Sequence, residues 1–156
     1  MTIIDLSERI DDICRRYPEY WHSDEAQREL QALWGGADCN DCGVFERNET
    51  IRIDLDCQKS WYGEIRIAVA PNGWHAIATS YWYGQGGGGS SPSVCNRIAY
   101  TTRDEAVAAG IDKLIATFQD VRDWKGWAPS KQSALAQRMI ETLKAHLSQS
   151  RQLSLF

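Results

Sequence analysis

The feature that most constrains the fold is a change of hydrophobic period near residue 50. Ile51, Ile53 and Leu55 alternate with Arg52, Asp54 and Asp56, and Ile65, Ile67 and Val69 alternate with Arg66, Ala68 and Ala70. A period of two puts alternate side chains on one face of a strand. Pro71-Asn72-Gly73 separates the second run from a third, Trp74 to Tyr83. Pro presets the first turn position and Gly takes the left-handed one, as in a type I turn with a bulge. Three antiparallel strands are expected, and Asn96 to Tyr100 can add a short fourth. If Ala70 pairs with Trp74, then Ile65, Ile67 and Val69 share a face with His75, Ile77 and Thr79. Arg66, Ala68, Trp74 and Trp82 then lie on the other face.

Helical patterning flanks this sheet. Ile3, Leu6, Ile10, Ile13, Cys14 and Tyr17 recur at three- and four-residue steps between charged residues, which predicts an amphipathic helix over residues 3–17, ended by Pro18. Ser23 can cap a second helix carrying Ala26, Leu30, Leu33 and Trp34, stopped by Gly35-Gly36. Thr102 and Glu105 read as a capping box opening a third helix, whose Val107, Ile111, Leu114, Ile115 and Phe118 form a stripe that covers a sheet face. Ser130 caps a last helix with Leu135, Met139, Ile140, Leu143 and Leu147. The glycine run Gly84 to Gly89 lacks the Gly-Lys-Ser/Thr ending of a phosphate loop and does not lead directly into a helix, so it reads as a flexible strand connection. The expected fold is therefore α+β: an N-terminal helical hairpin, a three- to four-stranded antiparallel sheet, two C-terminal helices and a flexible C-terminal peptide. One domain is expected over residues 1–147, with a tail over 148–156.

Composition narrows the function classes. The chain has 156 residues, 43% hydrophobic, enough for a real core. A net charge of −4 argues against a broad phosphate-binding surface, since nucleic-acid affinity is mostly electrostatic. DNA is expected to be met only through a partner. The N-terminal residues show neither a basic region nor a long apolar run, so no membrane contact and a cytoplasmic location are expected. Five cysteines, an odd number, then read as reduced thiols.

Chemistry-bearing candidates are few. Cys39-Asn40-Asp41-Cys42 has the spacing of one half of a zinc site, but Cys57 and Cys95 are isolated and supply no second close pair, so no metal and no cofactor are expected. His22, His75 and His146 sit in unrelated contexts. Asp54, Asp56 and Glu64 could gather near one sheet edge as an acid/base or metal cluster, although alternating charges on a strand's outer face are normally solvated. Trp61, Tyr62, Trp74, Tyr81, Trp82 and Tyr83 with Arg66 are either a Trp-rich core or a set of exposed aromatics able to stack bases or fill an interface. Arg66, Trp74 and Trp82 form the candidate second interaction face.

The most specific signal is the stretch Gln152-Leu153-Ser154-Leu155-Phe156, led by Ser148, Gln149, Ser150 and Arg151. Leu153, Leu155 and Phe156 are apolar side chains with no following chain to pack them, so they need a home on another molecule. Burying each is worth roughly 1.5 to 3 kcal/mol. The five residues closely resemble the clamp-binding peptide of bacterial proteins that dock on the β sliding clamp of the replisome, in which Gln is followed by Leu, then Ser or Asp, then Leu-Phe. The resemblance implies a docking partner and is silent on the domain being docked. With no nucleophile, base and orienting group in a recognisable arrangement, the expected role is a non-enzymatic accessory or inhibitory protein at the replication or repair machinery, of a kind that suits a phage, prophage or plasmid. Two other readings stay open: a small DNA-processing enzyme recruited by the clamp, and an aromatic-faced module binding single-stranded nucleic acid or another protein.

Overall fold

A computed structural model describes residues 3–56, 58–126 and 130–153, with backbone alone for Trp21, Gln58, Lys59, Gln152 and Leu153. The elements in chain order are β1 (Ile3–Asp5), α1 (Ser7–Arg16), a 3-10 turn (Tyr20–His22), α2 (Asp24–Leu33), β2 (Glu49–Leu55), β3 (Gln58–Val69), β4 (His75–Tyr83), β5 (Gly87–Gly89), β6 (Ile98–Tyr100), α3 (Arg103–Asp123) and α4 (Lys131–Leu153). The fold is α+β with an antiparallel sheet, as the change of period implies. The strand order is β1-β6-β4-β3-β2, with β5 paired to β4 off that path.

Local signals set most boundaries. Tyr17 leaves the helical region at φ −128° and ψ 85° ahead of Pro18, ending α1. Ser23 Oγ accepts from the Ala26 N–H at 3.2 Å and opens α2, and Gly35 and Gly36 at φ 80° and 84° close it. Thr102 Oγ1 accepts from the Glu105 N–H at 3.2 Å, and the Glu105 carboxylate accepts from the Thr101 hydroxyl. Ser130 Oγ accepts from the Ser133 N–H at 3.3 Å at the start of α4. The Ala70 N–H donates to the Trp74 carbonyl at 2.8 Å, so the turn at Pro71-Asn72-Gly73 closes where the sequence places it.

Three expectations are corrected. Ile3 and Ile4 do not begin α1; they pair with Tyr100 and Ala99 of β6, and Asp5 Oδ1 accepts from the Ser7 N–H at the helix start. The glycine run is not a loose connection, because Gly87, Gly88 and Gly89 pair with Trp82, Tyr81 and Ser80. A Cβ on Gly87 would lie 2.7 Å from Trp82 Cε3, and one on Gly88 3.3 Å from the Tyr81 ring, so the backbone runs too close to β4 for side chains. The tail expected from residue 148 is helical in its first part, since α4 continues to Leu153.

Contacts group the chain into two compact units. The first comprises residues 1–49, 66–78 and 91–106. Leu6 just before α1, Ile10 and Ile13 of α1, and Ala26 and Leu30 of α2 pack in one cluster with Ala68, Ala70, Ala76 and Ala99, around a fully buried Trp34. Small residues on the strands leave room for the indole. Trp34 meets Phe45 edge-on at 5.5 Å and Trp74 at 6.0 Å, and its Nε1–H donates to the Val94 carbonyl at 3.0 Å.

The second unit comprises residues 50–65, 79–90 and 107–156. Its buried residues include Ile53, Leu55, Trp61 and Ile65 of the strands, Ile111, Leu114 and Phe118 of α3, and Met139, Ile140 and Leu143 of α4. Phe118 stacks on Trp61 at 6.2 Å and meets Tyr81 edge-on at 6.1 Å. Helix and strand touch at glycines: a Cβ on Gly63 would lie 2.8 Å from Leu114 Cδ1, and one on Gly110 2.6 Å from Ile65 Cγ2.

Candidate partner-binding surfaces

Among the described residues, the approach to the C-terminal peptide is the far end of α4. Leu143 and Leu147 are the last buried apolar side chains on that helix, and Ser148, Gln149 and Arg151 beyond them are exposed. Gln152 and Leu153 continue the helix backbone, while Ser154, Leu155 and Phe156 lie outside the described residues.

The second candidate face is divided. Arg66 and Trp74 belong to the first unit and Trp82 to the second. Arg66 Nη1 donates to Ser91 Oγ at 3.1 Å, and Trp74 is half-buried against the Trp34 cluster. Trp82 is 38% exposed. Of the other aromatics, Trp61 is core and Tyr81 stacks on Tyr83 at 6.2 Å.

The carboxylates are organised by arginines. Arg52 lies 3.8 Å from the Tyr62 ring centroid, 3.0 Å from the Asp54 carboxylate and 3.5 Å from that of Glu64. Its hydrogen bond to Asp54 raises the pKa of the guanidinium further above its ordinary value. Asp56 turns instead to Arg138 of α4, at 2.6 Å, from a left-handed turn position at φ 42°. The three carboxylates thus divide between two cations, and the charge at the centre of the Asp54 and Glu64 pair is positive. An acid/base pair needs a carboxyl held away from such a partner.

The thiols lie in the first unit. Asn40 Oδ1 accepts from the Cys42 and Val44 N–H groups at 2.9 and 3.0 Å, and the Gly43 N–H closes the turn on the Asn40 carbonyl. Cys39 Sγ accepts from Gln31 Nε2 at 2.9 Å, and Cys42 is exposed. Cys57 lies outside the described residues. Burial, with Cys14 nearby, pushes the Cys95 thiol up from its ordinary pKa, which makes it a poor thiolate. No group of three metal-ligating side chains comes together among the described residues. A cavity of about 600 Å³ opens between the start of α2 and this turn, lined by His22, Asp24, Gln27, Arg28, Cys39 and Cys42 among others. Gln27 Oε1 is buried there without a hydrogen-bond partner, against the Gly43 backbone. His75 Nδ1, on β4, is likewise buried without a partner, and His146 is exposed on α4.

The feature that sequence reasoning missed is the position of β2 at the end of the strand order, with Arg52 and Asp54 on its outer face. Alternation marks a strand, but which strand ends a sheet depends on pairings between distant segments. Compared with known proteins, the chain matches no family model, no curated protein and no solved structure. No described helix is long and apolar enough to cross a membrane.

Proposed function

We propose that this protein docks on the bacterial β sliding clamp through Gln152, Leu153, Ser154, Leu155 and Phe156, and works at the replication or repair machinery as a non-enzymatic accessory or inhibitor. The observation that carries the proposal is the peptide itself, which matches the clamp-client pattern at each specified position. The exposure of Ser148, Gln149 and Arg151 on α4 supports it, because a client peptide must be reachable past its own domain. The pairing of Asp54, Glu64 and Asp56 with Arg52 and Arg138 supports the non-enzymatic part of the reading. The net charge of −4 fits DNA being met through the clamp rather than directly.

Leu155 and Phe156 carry the most apolar area and are the anchors, since a few buried side chains dominate a small interface. Gln152 fixes register through its amide, Leu153 matters less, and Ser154 tolerates Asp. Ordering the peptide offsets much of the apolar gain, which puts the affinity on the order of micromolar. The test is binding of purified clamp by surface plasmon resonance. Changing Leu155 and Phe156 together to Ala abolishes binding, and Ser154→Asp does not. Unchanged affinity in the double Ala variant would show that the peptide is not the docking element.

A further inference from the structure

We propose that the free edge of β2 pairs with the β2 edge of a second copy of this chain, antiparallel, about a two-fold axis at Ile53. Among the described residues β2 ends the strand order, with β3 on one side only. Its seven residues, Glu49–Leu55, hold no proline, glycine or lysine. Proline and lysine are among the devices that normally blunt an edge against pairing. One row of backbone N–H and C=O groups therefore points away from the sheet, as a template for an added strand.

The choice of a second copy rests on charge. A two-fold axis perpendicular to the sheet keeps its faces matched, so only residues of the same parity can stand opposite one another. Three central registers satisfy this. One sets Arg52 against Arg52, one sets Asp54 against Asp54, and the one centred on Ile53 sets Arg52 of each copy against Asp54 of the other. The side chains of Arg52 and Asp54 are each 43% exposed and 3.0 Å apart on the outer face. Pairing in this register turns one exposed ion pair per copy into an alternating square of four charges. Within its own copy the Arg52 guanidinium lies over the Tyr62 ring of β3. On the inner face the same register sets Ile53 against Ile53 and Ile51 against Leu55, apolar on apolar. Of the three central registers this one alone is self-complementary in charge, which is what an isologous interface requires.

Sedimentation velocity over a concentration series tests the pairing, using the full chain as wild type, Arg52→Asp, Asp54→Arg, and an equimolar mixture of the two variants. Wild type dimerises reversibly. Each variant alone faces like charges across the axis twice and dimerises at least about tenfold more weakly. The mixture restores the dimer, because the two outer-face carboxylates on β2 of the first variant then meet the two outer-face guanidinium groups on β2 of the second. That recovery separates the intermolecular contact from the ion pair within one strand, which stays broken in both variants. Far-UV circular dichroism establishes that both are folded; if either is not, concentration-dependent protection of the outward β2 amides in wild type replaces the mixing experiment. A monomeric wild type, variants that dimerise like wild type, a mixture that stays monomeric, or outward amides whose protection is independent of concentration would each overturn the proposal.

Discussion

Gly110→Ala sets two well-calibrated effects against each other inside α3. Helix propensity alone favours Ala by about 1 kcal/mol in a helix interior. The added Cβ would lie 2.6, 2.9 and 3.0 Å from Cγ2, Cγ1 and Cδ1 of Ile65. Carbon atoms prefer roughly 3.5 to 4.0 Å, so the helix or the strand must move by up to about 1 Å. Ile65 is fully buried and β-branched, with χ1 restricted, and it cannot swing aside as a long flexible side chain would. Overpacking of this kind costs about 1 to 3 kcal/mol. Subtracting the propensity gain leaves a net destabilisation near 1 kcal/mol, read as a lower urea midpoint at unchanged slope. Ile65→Ala removes all three clashing atoms and costs about 2 to 5 kcal/mol by itself. In the double variant the new methyl occupies part of that space, so the two changes couple favourably by at least about 1 kcal/mol. A stabilised Gly110→Ala protein with no coupling to Ile65 would refute the close approach of α3 and β3.

Trp34→Phe leaves the buried Val94 carbonyl without its donor and opens space between Phe45 and Trp74; the expected loss is about 2 to 4 kcal/mol by denaturant titration, with a changed near-UV dichroism band. The Glu49 carboxyl is held below its ordinary pKa chiefly by its hydrogen bonds from Arg103. Its contribution is therefore present above the usual carboxylate range and lost as pH falls through the lowered value, and Arg103→Gln removes that part of the acid dependence. Because both side chains are about half exposed, the effect stays within about 1 kcal/mol. Deleting residues 152–156 shortens α4 by two residues and removes nothing from the described core, so the melting temperature is essentially unchanged. A loss above about 1 kcal/mol, the scale of a lost packed side chain, would show that the peptide folds back on its own unit.

What could be read from the sequence was local. Ser23, Thr102 and Ser130 cap helices because a side-chain oxygen and an orphan N–H lie three residues apart, and the turn after Ala70 closes on its own residues. Ile3 fitted a helical stripe with Leu6 and Ile10, and only pairing with Tyr100, far along the chain, makes it a strand. Ala68, Ala70 and Ala76 carry too little apolar area to mark a core face by themselves. Their burial follows from Trp34, which fills the space they leave. The glycine run was read for its freedom, whereas its cause is contact: β5 passes against Trp82, Tyr81 and Ser80. Of the candidate sites, the peptide could be proposed from the sequence because a linear motif needs no fold. The β2 edge was not, because strand order is a property of the whole sheet.

The aromatic residues show why clustering in sequence does not make a face. Trp74, Tyr81, Trp82 and Tyr83 lie on or beside one strand, and a platform for bases would need several of them side by side with open faces. Instead the rings are divided: Trp74, just before β4, belongs to the first unit, and Tyr81, Trp82 and Tyr83 of β4 belong to the second. Trp74 meets Trp34 in the first, and Tyr81 and Tyr83 stack beside Phe118 and Trp61 in the second. Trp82 is left with its outer surface against solvent and its edge against Gly87. A single indole can anchor a protein contact, but it cannot supply the successive stacking and the positive groove that bind a strand of nucleic acid. The rings that looked like a recognition surface are largely taken up in packing, Trp61 and Phe118 in one unit and Trp34 and Trp74 in the other.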